Sequence, residues 1–237
     1  MNFLRLEEPR ALEQAIASLQ NGGIVAYPTD TVYGLGASLH FPGSLRRMFE
    51  IKGRSREKTL PVLLASAADL DTVSTGVDPR LLEFASRFWP GPLTVAVPAR
   101  PSLPAEVIAA DGTVGVRVPA HSVALTLAQR CGGALATTSA NMSGFAPARH
   151  ANEIGEPIRS LVDLVLDGGI APGGTASTVV RQEGATIVII REGAIASSHI
   201  LSTWQDILNA YGGRTGDAAS DSLNSTLGDT TNPQEIK

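Results

Sequence analysis

Short apolar runs that stop abruptly at proline, glycine or hydroxyl residues recur along this chain, with stretches of helical spacing between them. The run at 24–27, Ile-Val-Ala-Tyr, reads as a buried strand. It ends at Pro28, which has no N–H to give a sheet, and Thr29, Asp30 and Thr31 follow. Runs of the same kind at 60–65, 93–97, 114–118, 134–137, 164–166, 177–180 and 185–190 predict further strands. Residues 9–20 put Leu12, Ile16 and Leu19 on one helical face, and 44–51 do the same with Leu45, Met48 and Phe49. Helices are also predicted over 67–73, 79–88, 122–130 and 200–211.

Strands and helices alternate, but some consecutive strands lie too close for a helical crossover. The pattern therefore predicts one α/β domain with a mixed parallel and antiparallel sheet. Gly34 and Gly36 read as a place where the backbone turns tightly or approaches a ligand. Residues 212–237 are polar, rich in Gly, Ser, Thr, Asp and Asn, and nearly devoid of large apolar side chains, which predicts a disordered tail after a domain spanning 1–211.

Composition narrows the function classes. The chain has 237 residues, 43% of them hydrophobic and 18% charged, enough for one large domain with a substantial core. A net charge of -4 argues against a general nucleic-acid or membrane-surface binder, while leaving room for a local basic pocket. The single cysteine, Cys131, excludes an intramolecular disulfide and a cysteine-cluster metal site. No apolar run approaches the ~20 residues of a membrane span and the N-terminal residues lack a signal-peptide pattern, so the expected compartment is the cytoplasm.

Candidate chemistry gathers where strands end. Lys52, Arg54, Arg56 and Lys58 are four cations in seven residues, held between a helix and a buried strand. In an extended loop these positions can line an anion site, whereas elsewhere they would be a solvated charge run. Residues 137–144, Thr-Thr-Ser-Ala-Asn-Met-Ser-Gly, offer hydroxyls, an amide and backbone N–H groups at a strand-to-helix turn, suited either to cradling phosphate or to capping. Arg117 stands in the middle of the apolar stretch 113–119, where an unpaired charge is costly, so it must meet an anion, from the protein or from a substrate.

Pro-Thr-Asp-Thr-Val-Tyr-Gly-Leu (28–35), Lys-Gly-Arg (52–54) ahead of Leu-Pro-Val-Leu, Trp-Pro-Gly-Pro-Leu-Thr (89–94), Gly-Val-Arg-Val-Pro (115–119), Thr-Ser-Ala-Asn-Met-Ser-Gly (138–144) and Ser-Thr-Val-Val (177–180) occur in one order. Together they resemble the YrdC/Sua5/TsaC family, in its short bacterial single-domain form, over about residues 22–191. The resemblance implies a twisted mixed sheet with flanking helices around a large cavity. It also implies a nucleotidyltransferase that makes threonylcarbamoyl-adenylate and pyrophosphate from L-threonine, bicarbonate and ATP, the product passing to the tRNA-modification machinery for the N6-threonylcarbamoyl (t6A) modification.

By the same resemblance Thr31, Arg117, Thr137 and Ser177 surround threonine. Lys52, Arg54, Lys58, Thr113, Ser139, Asn141 and Arg191 fall on the nucleotide side, with Pro147 as wall and Lys52 and Arg54 nearest the chemistry. Magnesium is expected with ATP, no dedicated metal cage is visible, and Asp30 reads as structural. This chain has Ser55 where many relatives have proline, Arg56 as an added cation, and Leu63 where some relatives place a histidine. A non-catalytic module of the same fold with weak RNA binding, or a carbamoyl-adenylate-handling paralogue, are the alternative readings.

Overall fold

The structure, a computed structural model, describes residues 2–53 and 58–224. The strands among them are β1 (Asn2–Arg5), β2 (Val25–Tyr27), β3 (Gly34–Ala37), β4 (Val62–Leu64), β5 (Leu93–Pro98), β6 (Thr113–Arg117), β7 (Ala134–Ser139), β8 (Leu164–Asp167), β9 (Thr178–Glu183) and β10 (Thr186–Arg191). The α-helices are α1 (Ala11–Gln20), α2 (Pro42–Lys52), α3 (Pro79–Ser86), α4 (Ser122–Arg130), α5 (Glu156–Arg159) and α6 (Ser197–Asn224). The strands form one sheet in the order β1-β8-β2-β3-β7-β4-β6-β5-β9-β10. It is mixed, as predicted: β1–β8, β2–β8, β4–β6 and β5–β9 pair in parallel and the other neighbours antiparallel.

Alternation along the central strands divides the core in two. Val25, Tyr27, Leu63 and Leu135 pack with Ile16, Leu19, Val123 and Leu127 of α1 and α4. Their neighbours Ile24, Ala26, Val62, Leu64, Ala134 and Ala136 point into the larger core, which includes Leu45, Met48 and Phe84 from α2 and α3. Trp204 of α6 meets Phe84 edge-on at 5.5 Å and donates its indole N–H to Ala185 O, fastening α6 to α3 and to the β9–β10 turn.

Two expectations change. Gly34 and Gly36 are strand residues, paired with β2 on one side and β7 on the other, and Gly34, as expected of a residue near a ligand site, lines the large cavity of the candidate site while Gly36 does not. A Cβ on Gly36 would lie 2.7 Å from the Tyr27 ring and 2.9 Å from Leu135, so this glycine makes room for packed side chains rather than for a ligand. The helix predicted at 67–73 is a six-residue 3-10 helix, Ala67–Thr72. Helix α6 spans Ser197–Asn224; residues 225–237 of the predicted tail lie outside the described residues. Among the described residues no helix is long and apolar enough to cross a membrane.

Candidate active site

The polar segment after β2 is a tight hydroxyl-stabilised turn. Thr29 Oγ1 accepts the N–H groups of Thr31 and Val32 at 3.1 and 3.2 Å and donates to Val32 O at 2.6 Å. Thr29 Oγ1 also lies 3.0 Å from Thr31 Oγ1. Arg117 NH1 in turn donates to Thr31 Oγ1 at 3.0 Å. Thr31 thus accepts from Arg117 where it lines the cavity.

Arg117 is the last residue of β6, not its middle, and is only 6% exposed. The anion that its burial demands is Asp30, which pairs with its NH2 group. Its Nε donates to Gly91 O at 2.9 Å. The Trp-Pro-Gly-Pro motif exists to place that carbonyl: Gly91 N donates to Val118 O, and a Cβ on Gly91 would lie 2.3 Å from Phe88 O, so no other residue fits. Burial lowers the Arg117 pKa from its ordinary value, and Asp30 works against that shift.

Thr137 on β7 repeats the acceptor arrangement. It donates to Leu35 O at 3.2 Å and lies 2.9 Å from Tyr27 Oη. Since Thr137 gives its proton to Leu35 O, Tyr27 donates to Thr137, and burial pushes the Tyr27 phenol far above its usual value. On the other flank Ser177 Oγ lies 2.8 Å from Thr94 Oγ1, and Arg191 NH2 donates to Ser177 O and Oγ at 2.8 and 3.2 Å. Arg191 is lowered first by desolvation and then by the charge of Arg117, so the two guanidinium groups sense each other across the site.

These groups open on one cavity of about 750 Å³. Thr31, Arg117, Thr137 and Ser177, predicted for threonine, all line it. So do Lys52, Lys58, Thr113, Ser139, Asn141 and Arg191, predicted for the nucleotide. Pro147 does not; the lining at that corner is Ser143 and Gly144. Arg54, with Ser55 and Arg56, lies outside the described residues. Lys52 is only 3% exposed, and its ammonium donates to Ser139 O and Asn141 O at 2.5 and 2.7 Å. It ties the end of α2 to the loop after β7 and brings its charge from within the wall, while Lys58 is exposed at the rim. Leu63 lines the cavity as an apolar side chain.

The sequence reading missed Thr94, Asp111 and Arg181, all of which line the cavity. Asp111 accepts from Thr113 N and Oγ1 at 3.1 and 2.6 Å and pairs with Arg181 at 2.8 Å. Alternation along 178–183 was the available signal, since Val179 and Arg181 share a face opposite buried Val180. Among the described residues no group of three or more His, Cys, Asp or Glu is placed to hold a metal.

Comparison with known proteins gives the family. Residues 17–193 match the Sua5/YciO/YrdC family, whose description reads "Telomere recombination". The chain belongs to this family. It is 34% identical over 196 residues to the threonylcarbamoyl-AMP synthase of Pyrococcus abyssi, covering 83% of this chain and 57% of that protein. It is 32% identical over 194 residues to a putative threonylcarbamoyl-AMP synthase of Mycobacterium tuberculosis, covering 82% of this chain and 89% of that one. The solved P. abyssi Sua5 complexed with L-threonine superposes with a TM-score of 0.79 at 32% identity, over 85% of this chain and 60% of that structure. The chain thus spans a little over half the length of the P. abyssi relative.

Proposed function

We propose that this chain is an L-threonylcarbamoyladenylate synthase, a nucleotidyltransferase that converts L-threonine, bicarbonate and ATP to threonylcarbamoyl-AMP and pyrophosphate. The observation that carries the reading is the pocket at Arg117. A buried guanidinium donates to Thr31 Oγ1, and Thr31, Arg117, Thr137 and Arg191 line one cavity, so the pocket sets cations beside hydroxyl groups that can accept. An amino acid suits such a pocket: its carboxylate meets Arg117 and Arg191, and its amine N–H groups meet Thr31 and Thr137. The curated relatives are named for this reaction, and the solved P. abyssi protein is described as holding L-threonine.

The chemistry asks for placement more than for a strong acid or base. Condensation of the free amine with bicarbonate forms an N–C bond and releases water, giving a carbamate. A carbamate oxygen then attacks the α-phosphorus of ATP, the bond to the β-phosphate oxygen breaks, and pyrophosphate leaves with that electron pair. Thr31 and Thr137 orient the amine, Arg117 holds the carboxylate, and the Lys52 and Lys58 charges offset the growing charge on pyrophosphate. We propose that magnesium enters with the triphosphate; the donor set described above offers it no protein cage. The product would pass to the tRNA-modification machinery.

Incubation of the full chain with ATP, labelled bicarbonate and L-threonine, followed by mass spectrometry, tests the assignment. The expected outcome is a labelled threonylcarbamoyl-AMP peak that requires all three substrates. Labelled carbamoyl-adenylate without threonine, or no adenylate at all, would overturn it.

A further inference from the structure

Arg117 and Arg191 carry like charges that act on each other across the pocket, so their spacing has to be held by groups outside it. Arg117 takes its direction from Gly91 O, and Arg191 from Ser177 O and Oγ. Gly91 and Ser177 belong to different segments, the corner before β5 and the residue before β9. Both lead to Thr178, which is fully buried and lies outside the cavity lining. Thr178 follows Ser177 in the chain, and its N–H donates to Pro92 O at 3.0 Å, one residue on from Gly91.

The Thr178 hydroxyl fastens a third piece, the segment 192–196 that joins β10 to α6. It donates to Ile195 O at 2.8 Å and accepts the Ile195 N–H at 3.0 Å. Ala194 N donates to Ala176 O at 2.9 Å, and Gly193 comes so close that a Cβ there would lie 2.4 Å from Ala176 O and 2.5 Å from Ser177 O. Residues 176–178 are therefore clamped between the corner at 91–92 and the segment at 193–195. An apolar side chain of the same shape at 178 would leave the Ile195 N–H and C=O without this partner.

We infer that Thr178 is a positioning residue for the reaction: from outside the cavity it sets Arg191, through Ser177, at its distance from Arg117, through Pro92 and Gly91, so that one carboxylate meets both guanidinium groups. The inference rests on the synthase reading and adds to it a side chain that does not line the cavity. Gly193 and Ile195 serve the same clamp from its other side.

Kinetics of pyrophosphate release by the 237-residue chain test it. Thr178→Val keeps the shape and removes the hydroxyl; KM for L-threonine should rise about ten-fold, with KM for ATP changed less than about three-fold. Thr178→Ser, which keeps the hydroxyl, should hold KM for threonine within about two-fold of wild type. Gly193→Ala pushes the segment off Ser177 and should raise KM for threonine in the same selective way, which decides the matter if Thr178→Val does not fold. Trp204→Phe loses the hydrogen bond to Ala185 O but leaves the clamp, so it should lower stability in denaturant with KM for threonine within about two-fold. Unchanged KM for threonine in Thr178→Val or Gly193→Ala, an equal rise in both KM values, a Thr178→Ser variant as impaired as Thr178→Val, or an equal rise in Trp204→Phe overturns the assignment while leaving the synthase reading intact. A wild-type chain without threonine-dependent release overturns both.

Discussion

Replacing Asp30 by asparagine removes the carboxylate that faces Arg117 and keeps a side chain of the same shape in the turn. Both partners are nearly closed to solvent, with 7% of the Arg117 side chain and 12% of the Asp30 side chain exposed, so the discount for surface ion pairs does not apply. Leaving a buried charge without its partner costs about 3–5 kcal/mol. The hydrogen bonds from Arg117 to Gly91 O and Thr31 Oγ1 survive the change, which puts the expected loss at the low end, about 3 kcal/mol. For a chain of this size the Tm should fall by about 6–12 °C. Urea denaturation followed by circular dichroism measures the loss directly. Arg117→Met in the same background removes the orphaned charge, so the double variant should be less destabilised than the sum of the two single variants by about 2 kcal/mol. A loss under about 1 kcal/mol for Asp30→Asn, or simple additivity in the cycle, would refute the claim that Asp30 is the structural anion for Arg117.

Further outcomes follow from the same geometry. Arg117→Lys cannot reproduce a fork that reaches Gly91, Thr31 and Asp30 together, so KM for threonine should rise at least about ten-fold with KM for ATP changed less than about three-fold, as steady-state kinetics would show. Lys52→Met should lower stability and ATP affinity together, since the ammonium ties the loop at Ser139 and Asn141; Lys58→Ala, at the exposed rim, should lower ATP affinity in a salt-dependent way with Tm unchanged. Gly36→Ala should cost about 1–3 kcal/mol in denaturant because the new methyl meets the Tyr27 ring and Leu135. Burial pushes the Cys131 thiol up from 9.0 to about 11, so the stability tied to its protonated form is complete below pH 9 and lost between pH 9 and about 11. Cys131→Ala should flatten stability across that window in pH-dependent unfolding.

The apolar runs made most of the sheet legible. The runs at 93–97, 114–118 and 134–137 fall within a few residues of β5, β6 and β7, because burial on both faces leaves an uninterrupted apolar signature; the run at 185–190 and the helix at 122–130 likewise match β10 and α4. Strand β3 was hidden because Gly-Leu-Gly-Ala has the composition of a turn. Gly36 answers to the Tyr27 and Leu135 side chains brought against it by β2 and β7, a tertiary cause that local reading cannot see. The lining residues carried by motifs were readable by number. Asp111 and Arg181 were not, since each looks like an ordinary surface charge until the sheet brings β6 and β9 to either side of β5. Arg117 shows both sides of the lesson: burial cost predicted that it needs an anion, and only the fold could say that Asp30, within the turn after β2, supplies it.

The central claim meets its most direct test in pyrophosphate release. The purified 237-residue chain, supplied with ATP and bicarbonate, should release pyrophosphate when L-threonine is added and much more slowly with L-serine in its place. Release that proceeds at the same rate without an amino acid, or equally with serine, would contradict a threonine-dependent adenylate synthesis at Arg117.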